Sequence, residues 1–143
     1  MRIDNISVIP ELIKSPFEHS IINRGIKKGL VEIHFHDLRE FTEDKHRQVD
    51  DEPYGGGPGM VMKPEPFFAA VEALQSESSR VLLMTPQGVP FRQSVAAELA
   101  GDTHLIILCG HYEGIDHRVV EALVDDEISI GDYVLTNGTL AAA

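Results

Sequence analysis

Short runs of apolar residues alternate along the chain with longer segments in which apolar residues recur every three or four positions. The short runs have the length and β-branched composition of strands, whereas the longer segments have the spacing of helices that bury one face. The predicted order is strand, helix, strand, a long connection, and then helix–strand three times. This order favours an α/β domain with a mainly parallel sheet flanked by helices. The predicted strands are Ile3–Ile9, Val31–His36, Arg80–Met84, Leu105–Cys109 and Ile128–Ile130.

The first predicted helix has a recognisable start. Ser15 matches a capping residue, Pro16 the first helical position and Glu18 the acidic residue that completes a capping box. Apolar residues follow at near-helical spacing, and Gly29 suits the C-terminal end. The other predicted helices are Pro64–Leu74, Phe91–Leu99 and Ile115–Leu123, with a last helical turn from Gly138.

The segment from Asp37 to about Gly59 is polar and has little periodicity. It is longer than most connections, and such long connections in compact domains are usually functional or mobile. Its part Tyr54–Met60 is rich in glycine, but it lacks a Gly-Lys-Ser/Thr ending and does not follow a predicted strand. It therefore matches neither the P-loop nor the dinucleotide-binding pattern. We interpret it as a hinge or lid over a bound ligand.

Length and composition predict one globular domain. The chain has 143 residues, of which 43% are hydrophobic and 24% charged, close to the globular average. Cys109 is the single cysteine, so an internal disulfide is excluded. No apolar run approaches the roughly 18 residues of a membrane span, and the N-terminus does not resemble a signal peptide. We expect a soluble, cytoplasmic protein.

Charge is distributed unevenly along the chain. The net charge is −11, which argues against a dedicated nucleic-acid-binding domain, because phosphate affinity rests on lysine and arginine. Residues 1–50 carry eight basic and nine acidic side chains, whereas residues 51–143 carry four and fourteen. Any contact with a polyanion is therefore expected in the first third of the chain.

Three predicted strands are each followed by a segment that contains glycine: Thr85–Gly88, Gly110–Gly114 and Gly131–Gly138. Ligands of parallel α/β sheets bind beyond the carboxyl ends of the strands, and glycine lets the main chain approach a ligand closely. A tight turn is the alternative explanation for any one of them. The coincidence at three strand ends favours a ligand site, where Glu113 and Asp116 could accept hydrogen bonds or attract a cation.

Two other candidate sites are not favoured. His34 and His36 point to one face of a strand, but no third ligand is spaced to complete a zinc site. Cys109 is close to His111 in sequence, but neighbouring side chains at a strand end usually diverge, which argues against a nucleophilic thiol.

The chain resembles one known family. Its segments Val49–Asp51 with Tyr54–Met62, Leu108–Arg118 and Ile128–Leu135 are similar to three ordered motifs of the bacterial tRNA (guanine-N1)-methyltransferases, the TrmD family. The opening through Ser15–Phe17 is similar too. The likeness extends over essentially all 143 residues.

The resemblance implies a SPOUT fold, an α/β domain whose C-terminal part forms a trefoil knot, and a homodimer with no membrane partner. It implies methyl transfer from S-adenosylmethionine to N1 of the guanine just 3′ of the tRNA anticodon, with magnesium dependence a family expectation and no metal ligand assigned. Substrate contacts are implied for Asp50, Glu113 and Arg118. The residues implied to line the cofactor site are Pro86, Gly110, Tyr112, Glu113, Gly114, Ile130, Gly131, Asp132, Tyr133, Val134, Leu135 and Gly138.

In the family, a linker with a catalytic aspartate and a supporting arginine leads to a basic, tRNA-binding C-terminal domain. We therefore expect residues 1–143 to be the cofactor-binding and dimerisation domain without that C-terminal domain, inactive alone, and we nominate no general base among them. The knot is expected to be incomplete if the segment after Gly138 is too short to thread. Asn137 and Thr139 depart from the glycine and glutamate usual in the family. A non-catalytic dimerisation module and an unrelated α/β nucleotide-binding domain stay open as alternatives.

Overall fold

A five-stranded sheet, parallel throughout, organises the computed structural model, which describes all residues from Met1 to Ala143. The seven strands are β1 (Arg2–Ser7), β2 (Glu32–Asp37), β3 (Asp50–Asp51), β4 (Val61–Met62), β5 (Ser79–Pro90), β6 (His104–Cys109) and β7 (Asp126–Ser129). The strand order of the five-stranded sheet is β2-β1-β6-β5-β7, so β6 lies at its centre with a strand on each side. The predicted mainly parallel α/β fold is confirmed, while the trefoil knot stays a prediction.

Five helices surround the sheet. They are α1 (Lys14–Phe17), α2 (Ser20–Lys27), α3 (Pro64–Leu74), α4 (Gln93–Leu99) and α5 (His117–Leu123). The bounds of α3 are those predicted, whereas α4 and α5 each begin two residues later than predicted. None of the helices has the length and apolar composition needed to cross a membrane. Single 3₁₀ turns are formed by Pro10–Ile13, Leu38–Phe41 and Leu140–Ala142.

The predicted first helix is divided, and the prediction that Ser15 caps it was wrong. α1 begins at Lys14 and ends after one turn, and its capping position is held by Ile13 without a side-chain hydrogen bond. The helix is interrupted after Phe17, and α2 begins at Ser20, which adopts a φ of +56°. Pro16 is still tolerated, because the N–H groups of a first helical turn have no intrahelical partner. Gly29, at φ +69°, ends the second part as predicted.

The polar connection after β2 has more structure than its sequence predicted. Asp37 accepts a hydrogen bond from the backbone N–H of Arg39 at 2.9 Å and caps a 3₁₀ turn. Further on, Asp50 and Asp51 of β3 pair with β4 in an antiparallel ladder. Strands of two residues are too short to give a visible alternation, which explains why they were missed.

The core lies on both faces of the sheet. Ile106 and Leu108 of β6 pack on one face against Phe67 of α3. Leu105 of the same strand packs on the other face with Leu99 of α4. This two-sided burial accounts for the continuous apolar run of β6. Burying a side chain such as Phe67, which is fully enclosed, contributes about 2–3 kcal/mol.

A buried carboxylate lies in the amino-terminal half of the sheet. The side chain of Asp4 is fully buried and bonds to Arg2 at 2.6 Å, to Nε2 of His36 at 2.6 Å and to Nε2 of His104 at 2.7 Å. Nδ1 of His104 in turn bonds to the hydroxyl of Ser79 at 2.6 Å. The cluster therefore joins β1, β2, β5 and β6 at the edge of the sheet remote from the strands' carboxyl ends.

Candidate functional site

The principal cleft lies at the carboxyl edge of the sheet. It is formed by residues 83–87 of β5, residues 110–115 after β6 and residues 127–138 around and after β7. It encloses about 370 Å³, a volume in the range of small-molecule sites. The three glycine-containing segments singled out in the sequence are therefore neighbours in space.

The first wall of the cleft is formed by a segment of β5 that leaves the regular pairing with β7. Met84 and Val89 both pair with Ile128 of β7, so the four residues between them leave the ladder. The strand predicted to end at Met84 therefore continues after this excursion. Gly88 lies against the backbone of β7, since a Cβ there would be 2.4 Å from the carbonyl carbon of Glu127.

The second wall, the segment after β6, is tied to the main chain around β4. The N–H of Glu113 donates to the carbonyl of Met60 at 3.0 Å, and the N–H of Met62 donates to Gly114 at 2.9 Å. The N–H of Asp116 then donates back to Met62 at 3.0 Å. These bonds fix the segment after β6 to the end of the glycine-rich segment Tyr54–Met60.

The third wall is held by the side chains of Asn137 and Thr139. The side-chain oxygen of Asn137 accepts hydrogen bonds from the N–H groups of Thr139 and of the next residue, at 3.1 and 3.3 Å. The hydroxyl of Thr139 is buried and bonds to that of Ser7 at 2.6 Å. Between them, the N–H of Gly138 donates to Gly110 at 2.8 Å. Asn137 and Thr139 thus anchor the end of the chain across the strand ends.

A second, larger cleft of about 1150 Å³ lies on the other side of the segment after β6. Arg118 forms part of its wall, where its Nε and one terminal nitrogen donate to Asp116 at 2.9 and 2.8 Å. The hydrogen bond from Arg118 lowers the pKa of Asp116 below its ordinary value. Acidic residues outnumber the other charged residues of the lining, where Lys63 and His117 lie beside Glu43, Asp44, Asp51, Glu52 and Glu65.

The structure brings most of the predicted site residues together. All those assigned to the cofactor line the principal cleft except Asp132, which is exposed outside the lining. Glu113 lies in the same lining, whereas Arg118 lines the second cleft. Asp50 lies outside both linings, although its neighbour Asp51 belongs to the second. The contacts of these residues with ligands stay predictions.

Several lining residues were not nominated from the sequence. Thr85 and Gln87 belong to the excursion of β5, and His111 follows β6. Nδ1 of His111 is buried without a hydrogen-bond partner. In the sequence, His111 stands between Gly110 and Tyr112, which were both assigned to the cofactor site. This position could have identified it.

Cys109 does not have the surroundings of a nucleophile. Its side chain is buried, and this burial raises the pKa of the thiol to about 12. The thiol donates to the side-chain oxygen of Asn5 at 3.3 Å. A thiol held protonated in this way is inert at neutral pH.

The chain is thus a parallel α/β protein with a cleft lined by glycine-containing segments at the carboxyl edge of its sheet, the place where proteins of this class commonly bind their ligands. A family model described as tRNA (Guanine-1)-methyltransferase TrmD matches residues 1–143. The chain belongs to this family.

Relatives from several bacteria carry the same name, tRNA (guanine-N(1)-)-methyltransferase. The protein of Dictyoglomus turgidum is 56% identical over 142 residues, covering 99% of this chain and 58% of the relative. That of Dehalococcoides mccartyi is 56% identical over 145 residues, with the same coverage. That of Brevibacillus brevis is 56% identical over 143 residues, covering 99% of this chain and 59% of the relative. The chain thus spans less than two thirds of the length of these relatives.

Proposed function

We propose that residues 1–143 form the S-adenosylmethionine-binding part of a tRNA (guanine-N1)-methyltransferase. The complete enzyme transfers the methyl group to N1 of the guanine just 3′ of the anticodon, in the cytoplasm where tRNA is modified. Membership of the family supports the reaction class. The general base and the tRNA-binding surface are assigned to a C-terminal part outside residues 1–143, and magnesium dependence to the complete enzyme.

The meeting of three strand ends around one open cleft is the observation that carries the proposal. Residues 83–87, 110–115 and 127–138 are remote in sequence and share one lining. An unrelated α/β fold would need only one glycine-containing turn for a phosphate. Three such segments with no lysine or arginine in the lining, and with His111 and His117 as its only basic residues, fit a nucleoside without phosphates better than a polyphosphate.

The lining also fits the chemistry of the methyl donor. Gly110, Gly114 and Gly131 present main chain without side chains at the cleft, and Ile130 and Leu135 add apolar surface for a purine ring. The carboxylates of Glu113 and Glu127 belong to the same lining and suit a cationic sulfonium. When bound, S-adenosylmethionine supplies an electrophilic methyl group.

The second cleft is suited to a nucleobase rather than to the tRNA backbone. Its carboxylates can accept hydrogen bonds from the N–H groups on the edge of guanine, whereas they repel phosphates. Arg118 is held in place by Asp116 on two of its nitrogens and keeps the third for a carbonyl oxygen. We therefore place the target guanine in the second cleft near Arg118, with Asp50 next to the lining residue Asp51.

Exposed apolar side chains support the expected homodimer. Val134, beside the principal cleft, is 83% exposed, and Ile21 of α2 is 71% exposed. Tyr133 and Leu30 are exposed in the same two regions. A contiguous apolar patch on a folded domain marks an interface; we propose that these side chains belong to such patches and that a second copy of the chain covers them.

Calorimetric titration tests the proposed cofactor. We expect S-adenosylhomocysteine and S-adenosylmethionine to bind the folded chain with dissociation constants in the micromolar range, about 7–8 kcal/mol of binding free energy. Light scattering on the same sample gives the oligomeric state. ATP and NAD are the matched controls, since they share the adenosine but add phosphates.

Each outcome of that titration separates the candidates. Binding of S-adenosylhomocysteine that excess ATP does not displace supports the methyltransferase. A folded dimer that binds none of the ligands supports the non-catalytic dimerisation module. Tight binding of ATP or NAD in competition with S-adenosylhomocysteine would assign the cleft to a phosphorylated nucleotide instead of the methyl donor.

Gly138→Ala is expected to weaken binding of S-adenosylhomocysteine roughly tenfold, or about 1.4 kcal/mol. A Cβ at this position would lie 3.0 Å from the backbone nitrogen of Gly110, 3.1 Å from the carbonyl oxygen of Met84 and 3.3 Å from Cα of Cys109. These main-chain atoms lie within β5 and at the carboxyl end of β6, so the third wall must shift outwards by a few tenths of an ångström. Equal affinities of the variant and the parent in calorimetry would contradict the assignment of this cleft.

A further inference from the structure

Gly59, in the glycine-rich segment Tyr54–Met60, lies directly against the side chain of Glu113. A Cβ built on Gly59 would be 2.3 Å from Cγ of Glu113, 2.6 Å from Oε1 and 2.8 Å from Cδ. Non-bonded carbon atoms pack at about 3.5–4.0 Å. Any side chain at position 59 and the present conformation of Glu113 therefore exclude one another.

Glu113 cannot relieve such an overlap by moving its backbone. Its N–H is bonded to the carbonyl of Met60, and the following Gly114 is bonded to the N–H of Met62. Both partners lie immediately after Gly59, so the two segments move as one. The nearest atom is Cγ, whose place is set by rotation about the Cα–Cβ bond, so turning the carboxylate alone does not remove the overlap. The whole side chain would have to adopt another rotamer.

The other glycines of the same segment lack this contact. Gly55 and Gly59 have almost the same backbone conformation, with φ of +85° and +86°. A Cβ built on Gly55, Gly56 or Gly57 meets no atom within 4 Å. All these glycines thus have positive φ, whereas only Gly59 lies against Glu113.

We propose that Gly59 is a positioning residue for the ligand site: its missing side chain gives Glu113 the space to hold its carboxylate at the wall of the principal cleft. This inference rests on the proposed function, because Glu113 lines the cleft assigned to S-adenosylmethionine. The inference assigns a structural role to the glycine-rich segment Tyr54–Met60. The segment sets the rotamer of a carboxylate that faces a cationic ligand, in addition to bounding the second cleft through Tyr54 and Gly55.

Four variants test the proposal, with S-adenosylmethionine affinity as the readout: Gly59→Ala, Gly55→Ala, Glu113→Ala and the double variant Gly59→Ala/Glu113→Ala. Gly55→Ala is the matched control, because it adds the same methyl group at the same φ without a neighbour. We expect Gly59→Ala to weaken binding about tenfold more than Gly55→Ala. In the Glu113→Ala background, Gly59→Ala should cause no further loss beyond that of Gly55→Ala.

The outcomes distinguish this inference from the proposed function. If the parent chain does not bind S-adenosylmethionine, the proposed function and the inference both fail. If the parent binds but Gly59→Ala and Gly55→Ala weaken binding equally, the inference fails and the proposed function stands. A loss at Gly59 that persists without Glu113 likewise overturns the inference. Should Gly59→Ala not fold, Gly59→Asn and Gly55→Asn replace the pair, because asparagine tolerates positive φ while keeping the Cβ.

Discussion

Replacing Gly88 with alanine is expected to lower the free energy of unfolding by about 3 kcal/mol and to abolish binding of S-adenosylhomocysteine. A Cβ at position 88 would lie 2.4 Å from the carbonyl carbon of Glu127 and 2.4 Å from the backbone nitrogen of Ile128. Backbone atoms within a paired strand cannot turn aside as a side chain does. β5 and β7 must therefore separate, and the cleft that they line opens with them. Urea unfolding and calorimetric titration measure the two effects.

Gly25→Ala provides the control for Gly88→Ala. Gly25 lies within α2, and a Cβ there would meet only Cγ1 of Val31, at an ordinary 3.8 Å. Alanine in a helix interior is favoured over glycine by roughly 0.5–1 kcal/mol, so this variant should be slightly more stable with unchanged ligand affinity. A Gly88→Ala protein with the stability of the parent would show that the close approach of β5 and β7 is wrong.

The sequence predicted those parts of the fold in which periodicity and burial agree. Pro64–Leu74 has apolar residues on one helical face and a proline at its start, and α3 has those bounds. The continuous apolar run of β6 likewise predicted a strand covered on both faces. The first helix was predicted less well, because the local capping signal at Ser15 did not indicate the break that separates α1, ending at Phe17, from α2, beginning at Ser20. The β3–β4 pair depends on contacts remote in sequence.

The sequence predicted the edge of the sheet at which the candidate site lies, but not the contacts that hold the site together. Glycines after three strands indicated one edge of a parallel sheet, and the structure places those segments around one cleft. The excursion of β5 at Gly88 and the hydrogen bond of Thr139 to Ser7 were not predictable, since both depend on which residues of a remote part of the chain lie opposite. The contact of Gly59 with Glu113 joins residues 54 positions apart. A single sequence carries no signal for such a pairing.

Removal of the buried carboxylate of Asp4 is expected to be the other strongly destabilising change. Asp4→Ala should lower the free energy of unfolding by about 3–5 kcal/mol, because it leaves Arg2 and the buried His104 without their partner. Glu72→Ala is the matched control, since Glu72 is an exposed carboxylate whose loss should change stability by less than about 0.5 kcal/mol. Equal urea midpoints for the two variants would contradict the hydrogen-bonded cluster.

The dependence of the unfolding free energy on pH, at acidic pH, distinguishes the contribution of the Asp4 charge from the contribution of its packing. Burial alone would raise the pKa of Asp4, but hydrogen bonds from Arg2, His36 and His104 outweigh it and lower the pKa to about 2. As pH falls below the ordinary value near 3.8, Asp4 becomes protonated in the unfolded chain but stays ionised in the folded protein. The stabilisation is therefore complete above about pH 4 and is lost towards pH 2, by about 2 kcal/mol. Asp4→Asn lacks this titration, so the difference in unfolding free energy between parent and variant should shrink by that amount across this interval. A difference that is independent of pH would mean that the carboxylate is not held as an ion.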